Sequence, residues 1–153
     1  METKIIDNWL DKDLIKFLHP LFLYNAPHFF SQKSNEGKGG MFYVSHLNKD
    51  DALFCFLNYK LMQTLKIKYT LGDLYINIQH PNMSGDYHTD DCNITCLYMV
   101  TDTLKDSGHL DIKDEKKINF VQNRLVIFDS KKLHRGLAPS NGVRISLAFK
   151  LDT

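Results

Sequence analysis

Between residues 66 and 151 the sequence divides into nine short runs of strand-forming residues, and no other feature constrains the fold as much. The runs cover 66–70, 74–79, 87–90, 94–101, 109–113, 117–121, 125–128, 133–138 and 144–151. Turn-forming clusters rich in Gly, Pro, Asn and Asp separate them at 71–73, 81–86, 106–108, 114–116, 122–123 and 139–142. Many short strands at close spacing imply a sandwich or a barrel. The last run is the most informative. Ile145, Leu147, Phe149 and Leu151 form one face, and Arg144, Ser146, Ala148 and Lys150 form the other. Side chains alternate across a strand, so the apolar face should meet a hydrophobic layer while Arg144 and Ser146 point into the barrel mouth.

The helices that could supply that layer lie in the first half of the chain. Asp11 is placed to cap a helix carrying Leu14, Ile15, Phe17 and Leu18, which is expected to end before Pro20. A second helix is expected over 51–65. Leu53, Phe54, Leu57, Leu61 and Leu65 form its stripe, and Phe56 and Met62 widen it. Residues 4–10 form a short apolar stretch, and Phe29, Phe30, Met41, Phe42 and Tyr43 read as edge strands. The intervening stretch 34–40 reads as a mobile loop and lacks the spacing of a phosphate-binding loop. With no linker and no repeat, a single domain over 1–153 is expected. Residues 1–66 would supply helical support and edge strands, and residues 67–153 the β core.

Composition narrows the partners. A formal net charge of +1 offers no strong field for nucleic acid or an anionic membrane. Cys55, Cys92 and Cys96 are an odd set without a Cys-x-x-Cys pair, and they read as reduced thiols of a cytoplasmic protein. No run is long enough to span a bilayer, and the first residues do not read as a signal peptide.

The chemistry concentrates in a few polar residues. In an extended strand, His88 and Asp90 of His88-Thr89-Asp90 point the same way and can hold two neighbouring positions on one metal ion. His134 is the candidate third ligand. Two imidazoles and a carboxylate on one face of an octahedral ion form the facial triad of non-haem iron(II), which leaves positions open. Arg144 beside Ser146 suits a carboxylate, which a guanidinium can grip with two parallel bonds. A tight turn over 139–142 would fold the His134 and Arg144 strands back on each other. Asp91 has the opposite parity and is expected at the surface or behind the ligands. Arg135 would contact substrate or pair with Asp129. His19, His28, His46, His80 and His109 are expected to be ordinary surface or core residues.

These residues together resemble a known family, the iron(II)- and 2-oxoglutarate-dependent dioxygenases, and within it the small prolyl-4-hydroxylase-like members of phages and bacteria. The stretches that carry the resemblance are His88-Thr89-Asp90, Gly108-His109-Leu110, Asn123 to Ser130, Leu133-His134-Arg135-Gly136 and Arg144-Ile145-Ser146-Leu147. They run in order over about residues 70–151. The resemblance implies a mostly β fold, the double-stranded β-helix or jelly-roll, with supporting N-terminal helices. It implies iron(II) held by His88, Asp90 and His134, 2-oxoglutarate held through its far carboxylate by Arg144 and Ser146, and ascorbate as reductant. It further implies hydroxylation of a C–H bond with release of succinate and carbon dioxide, a prolyl residue of a peptide or protein being the leading substrate. The tyrosine that assists the clamp in many relatives is one place out of register here, so Tyr98 is expected to face away. Tyr75, Asn77 and Gln79 share a parity and are expected to line the pocket instead. The alternatives are a hydroxylase of a nucleobase or free amino acid, and a cupin-like metal-binding protein without oxygenase activity. The segments 34–40 and 81–86 are expected to be mobile lids over the mouth.

Overall fold

A computed structural model describes residues 1–27, 29–32 (backbone only), 42–101, 108–115 and 117–153. The expected loop 34–40, Met41, His28 and part of the expected turn at 106–108 lie outside the described residues. In chain order the elements are β1 (Lys4–Asp7), α1 (Lys12–Pro20), β2 (Phe29–Gln32), β3 (Phe42–His46), α2 (Ala52–Leu65) and β4 (Thr70–Gln79). They continue with β5 (Ile94–Met99), β6 (His109–Ile112), β7 (Ile118–Asn119), β8 (Arg124–Asp129), β9 (His134–Leu137) and β10 (Arg144–Asp152).

Two antiparallel sheets face each other. The larger has the order β1-β8-β5-β10-β4-β3-β2, and the smaller β7-β6-β9. From β5 onward the chain crosses between the sheets at β5–β6, β7–β8, β8–β9 and β9–β10, as in a jelly-roll. The alternation read from β10 decides the layering. Ile145, Leu147, Phe149 and Leu151 join Leu18, Phe22, Leu57 and Leu61 in a core between the large sheet and the helices. Ala148 faces the other way and meets Leu97, Met99, Leu110, Ile112 and Phe128 between the sheets. Each fully buried Leu or Phe contributes about 1.5–3 kcal/mol, so a one-residue slip of β10 would forfeit both layers at once.

Several local expectations are corrected. Pro20 lies inside the last turn of α1, and the chain continues as a π-helical turn, Leu21–Asn25. Proline removes only one N–H there, the Ala26 N–H still reaches the Leu21 carbonyl at 3.1 Å, and Phe22 becomes buried. On α2 the buried stripe is narrower than expected. Phe54, Leu57 and Leu61 are buried, whereas Phe56 and Met62 are exposed. The run 66–70 is not a strand. Lys66 ends α2 in the left-handed conformation, and only Thr70 pairs. Residues 71–73 are not a turn but part of β4. Lys150 pairs with Asp73 and Leu151 with Leu71, so Gly72 is the extra residue of a β-bulge. Residues 87–90 form no strand, and only His88 makes a bridge, to His134. Nor does the turn at 139–142 form a hairpin, because β9 and β10 belong to different sheets and face across the barrel.

Among the described residues no helix is long and apolar enough to cross a membrane.

Candidate metal and carboxylate site

The open end of the space between the sheets is a cavity of about 210 Å³. Along one wall stand His88, Asp90 and His134, whose ligand atoms all lie within 4.8 Å of one another. His134 starts β9, and its backbone N–H and carbonyl exchange hydrogen bonds with those of His88 at 2.9 and 3.0 Å. This pair of bonds does the work assigned to a full strand at 87–90. It brings the two imidazoles to 4.4 Å between ring centroids. The Asp90 N–H donates to the Ser130 carbonyl at 2.9 Å, anchoring the third residue to the β8–β9 turn.

Hydrogen bonds orient the imidazoles. Nδ1 of His88 lies 2.9 Å from the Asp86 carbonyl, and Nδ1 of His134 lies 2.8 Å from the Lys132 carbonyl. A carbonyl only accepts, so each Nδ1 carries the proton and each Nε2 keeps a lone pair directed inward. These nitrogens sit 3.6 Å from Asp90 Oδ1 and 3.3 Å from Asp90 Oδ2 respectively. Burial is the largest influence on both ionisable residues that shift. It lowers the His88 pKa, favouring the neutral ligand form. At Asp90 burial opposes ionisation, but the polar contacts of the carboxylate, the Lys150 ammonium among them, hold the carboxyl well below its usual range.

Arg144 lies at the other end of the cavity and is buried. Its Nη1 donates to the carbonyls of Leu137 and, at 3.2 Å, His109, and its guanidinium lies over the Phe120 ring at 5.2 Å. Burial lowers its pKa to about 10, so it stays charged at neutral pH. No carboxylate pairs with it among the described residues, and its Nε has no hydrogen-bond partner. Gly136 makes room for it. A Cβ there would lie 2.3 Å from Arg144 Nη2.

The remaining expected pocket residues come together as alternation requires. Tyr75, Asn77, Gln79 and Ser146 all line the cavity, and Asn77 Oδ1 is buried without a hydrogen-bond partner among the described residues. Gln79 Nε2 donates to the Met83 carbonyl at 2.7 Å. Tyr98 does face away. It lies in the helix-side core against Trp9, with its hydroxyl 3.1 Å from Asn123 Oδ1. Asp91 points to solvent, 3.8 Å from Lys131. Arg135 pairs with Asp111 at 3.0 Å, and Asp129 instead meets the amino terminus at 3.4 Å. Of the expected lids, the segment 81–86 is hydrogen-bonded to the β9 end. The Gly85 N–H donates to the Gly136 carbonyl at 2.9 Å and the Ala138 N–H to Ser84 Oγ at 3.0 Å, stitching it to β9 and the residue after it.

Two residues beside the His88, Asp90 and His134 cluster were not singled out from the sequence. Thr95 donates its hydroxyl to Asp90 Oδ2 at 2.5 Å, and Lys150 forms an ion pair with the same oxygen. Lys150 shares the parity of Arg144 and Ser146 on β10, a signal that points it into the cavity but does not name its partner.

No family model matches the sequence, and no curated protein matches it. Comparison with solved structures is informative. A viral collagen prolyl hydroxylase from Paramecium bursaria Chlorella virus-1, in complex with 2-oxoglutarate, superposes with a TM-score of 0.75 at 16% identity. The match covers 100% of this chain and 97% of the other. The fold is that of the 2-oxoglutarate/iron(II) oxygenases. An oxidoreductase of the 2-oxoglutarate/iron(II) oxygenase family from Burkholderia pseudomallei gives a TM-score of 0.78 at 12% identity, covering 98% of this chain and 84% of that one. A Trichoplax adhaerens prolyl hydroxylase, in complex with a peptide fragment of the hypoxia inducible factor oxygen degradation domain, gives 0.73 at 16% identity, covering 97% and 83%.

Proposed function

We propose that this chain is an iron(II)- and 2-oxoglutarate-dependent dioxygenase that hydroxylates a C–H bond, with a prolyl residue of a peptide or protein as substrate. The observation that carries the reading is Arg144, a buried cation with no carboxylate partner among the described residues, facing the same 210 Å³ cavity as His88, Asp90 and His134. A buried charge is costly unless paired, so the cavity calls for an anionic ligand. A metal-binding jelly-roll without oxygenase activity has no use for that charge.

The donor set fits iron(II). Two imidazoles and one carboxylate suit it, no thiolate is among them, and three protein ligands would leave positions open for substrates. His88, Asp90 and His134 would hold the ion. When bound, iron(II) supplies the redox chemistry by which dioxygen and 2-oxoglutarate yield succinate, carbon dioxide and a hydroxylated product. The chain's own residues bind, orient and exclude water. Arg144 and Ser146 hold the far carboxylate of 2-oxoglutarate, and Tyr75, Asn77 and Gln79 flank it. Leu97, Leu110, Phe128 and Ala148 form the dry wall along its length and strengthen each polar contact by excluding water. The carbonyls of Asp86 and Lys132 keep the imidazole tautomers fixed.

The prolyl substrate is supported by the prolyl hydroxylases among the structural matches, one of them holding a peptide. Proline also suits an open groove, since its fixed ring lowers the ordering cost of binding. The test is succinate release from 2-oxoglutarate with iron(II) and ascorbate across a library of proline-containing peptides, with hydroxylation read by mass spectrometry. Turnover coupled to a prolyl peptide supports the reading. A protein that binds no 2-oxoglutarate in the presence of a divalent metal refutes it.

A further inference from the structure

The Asp90 carboxylate is shared unevenly. Oδ2 takes the Thr95 hydroxyl at 2.5 Å and the Lys150 ammonium, and His134 Nε2 lies 3.3 Å away. Oδ1 faces His88 Nε2 at 3.6 Å. Lys150 has little freedom, because only 14% of its side chain is exposed and its ammonium lies 5.5 Å from the Tyr75 ring. We propose that Lys150 is a positioning residue that, with Thr95, occupies Oδ2 so that Oδ1 is the oxygen offered to the metal. Its charge at the same time sets the two ligand affinities in opposite directions, weakening divalent-cation binding and strengthening 2-oxoglutarate binding. The proposal rests on the reading of His88, Asp90 and His134 as metal ligands.

The charge argument is elementary. An ammonium against a carboxylate that also holds a dication repels the dication across a cavity partly walled by Leu97, Leu110 and Phe128. The same ammonium attracts a dianion entering that cavity, adding to the field of Arg144. A lysine that served only to hold β10 in place would behave differently. Its loss would loosen the site and weaken both ligands together.

The experiment uses the full chain under anaerobic conditions, with Mn(II) as the metal probe and titration calorimetry as the readout. Lys150→Met should bind Mn(II) about tenfold more tightly than wild type, while 2-oxoglutarate binding at saturating Mn(II) weakens by about threefold to tenfold. Lys150→Gln, which keeps a donor for Oδ2 and drops the charge, should show the same opposed shifts and guards against a folding defect in the methionine variant. Lys150→Arg should stay within about twofold of wild type for both ligands, since it keeps the charge. Shifts in the same direction, or unchanged Mn(II) affinity in both neutral variants, would overturn the proposal. Asp90→Ala separates it from the underlying reading. If that variant binds Mn(II) like wild type, the ligand assignment itself falls and the role of Lys150 with it.

Discussion

Gly136→Ala tests the carboxylate clamp proposed for Arg144 without replacing the arginine. The added Cβ would lie 2.3 Å from Arg144 Nη2, 3.3 Å from Gln79 Oε1 and 3.5 Å from Arg144 Cζ. Opening the first contact to the 3.4 Å of ordinary packing moves Nη2 by about 1.1 Å. The guanidinium cannot swing freely, because Nη1 is bound to the Leu137 and His109 carbonyls and Phe120 lies beneath it. A shift of that size breaks one arm of a two-armed grip. A charge-assisted hydrogen bond contributes about 1.5–3 kcal/mol, and its partial loss should raise the Kd for 2-oxoglutarate by about tenfold to thirtyfold. Arg144→Ala sets the upper limit, at about a hundredfold, and Arg144→Lys should fall between, since a point charge lacks the fork. The assay is calorimetric titration of 2-oxoglutarate into Mn(II)-loaded protein, with Mn(II) affinity and thermal midpoint measured alongside. Only the 2-oxoglutarate constant should move. An unchanged constant would show that Arg144 does not hold the cosubstrate, and an equal loss of Mn(II) binding would show that the substitution had damaged the site as a whole.

Three further outcomes are expected. His134→Ala should abolish turnover and weaken Mn(II) binding by at least about a hundredfold while leaving far-ultraviolet circular dichroism unchanged, because the side chain lies at the start of a strand, at the cavity wall. Tyr98→Phe should cost about 1 kcal/mol in denaturant unfolding, through loss of its bond to Asn123, and leave the Kd for 2-oxoglutarate unaltered; a change in that Kd would contradict its outward orientation. Asp7→Asn should soften acid unfolding. The Arg124 guanidinium holds the Asp7 carboxyl below its ordinary value, so the pair adds stability above the unfolded pKa of about 3.9 and loses it as pH falls through the folded value. Unfolding curves of wild type and variant should therefore converge as pH falls through the folded value of Asp7, with only a modest gap at neutral pH because the pair is at the surface.

The sequence by itself determined the layering and the polar inventory. The period-two pattern of β10 placed Arg144, Ser146 and Lys150 on one face and the helix-side core on the other, because strand geometry leaves no third direction. The same rule brought Tyr75, Asn77 and Gln79 to the cavity and turned Tyr98 away. Tertiary structure decided what depends on partners distant in the chain. His88 and Asp90 meet His134 through one bridge and one turn, not through a strand, and no local pattern records such a pairing. Gly72 looked like a turn residue, but it is a bulge because Lys150 and Leu151 leave it unopposed. The route from β9 to β10 crosses between sheets, although its turn residues would also suit a hairpin. Most of all, the ion pair of Lys150 with Asp90 joins residues sixty positions apart. Alternation shows where Lys150 points, but only the packing of β10 beside the His88, Asp90 and His134 cluster shows that the two meet.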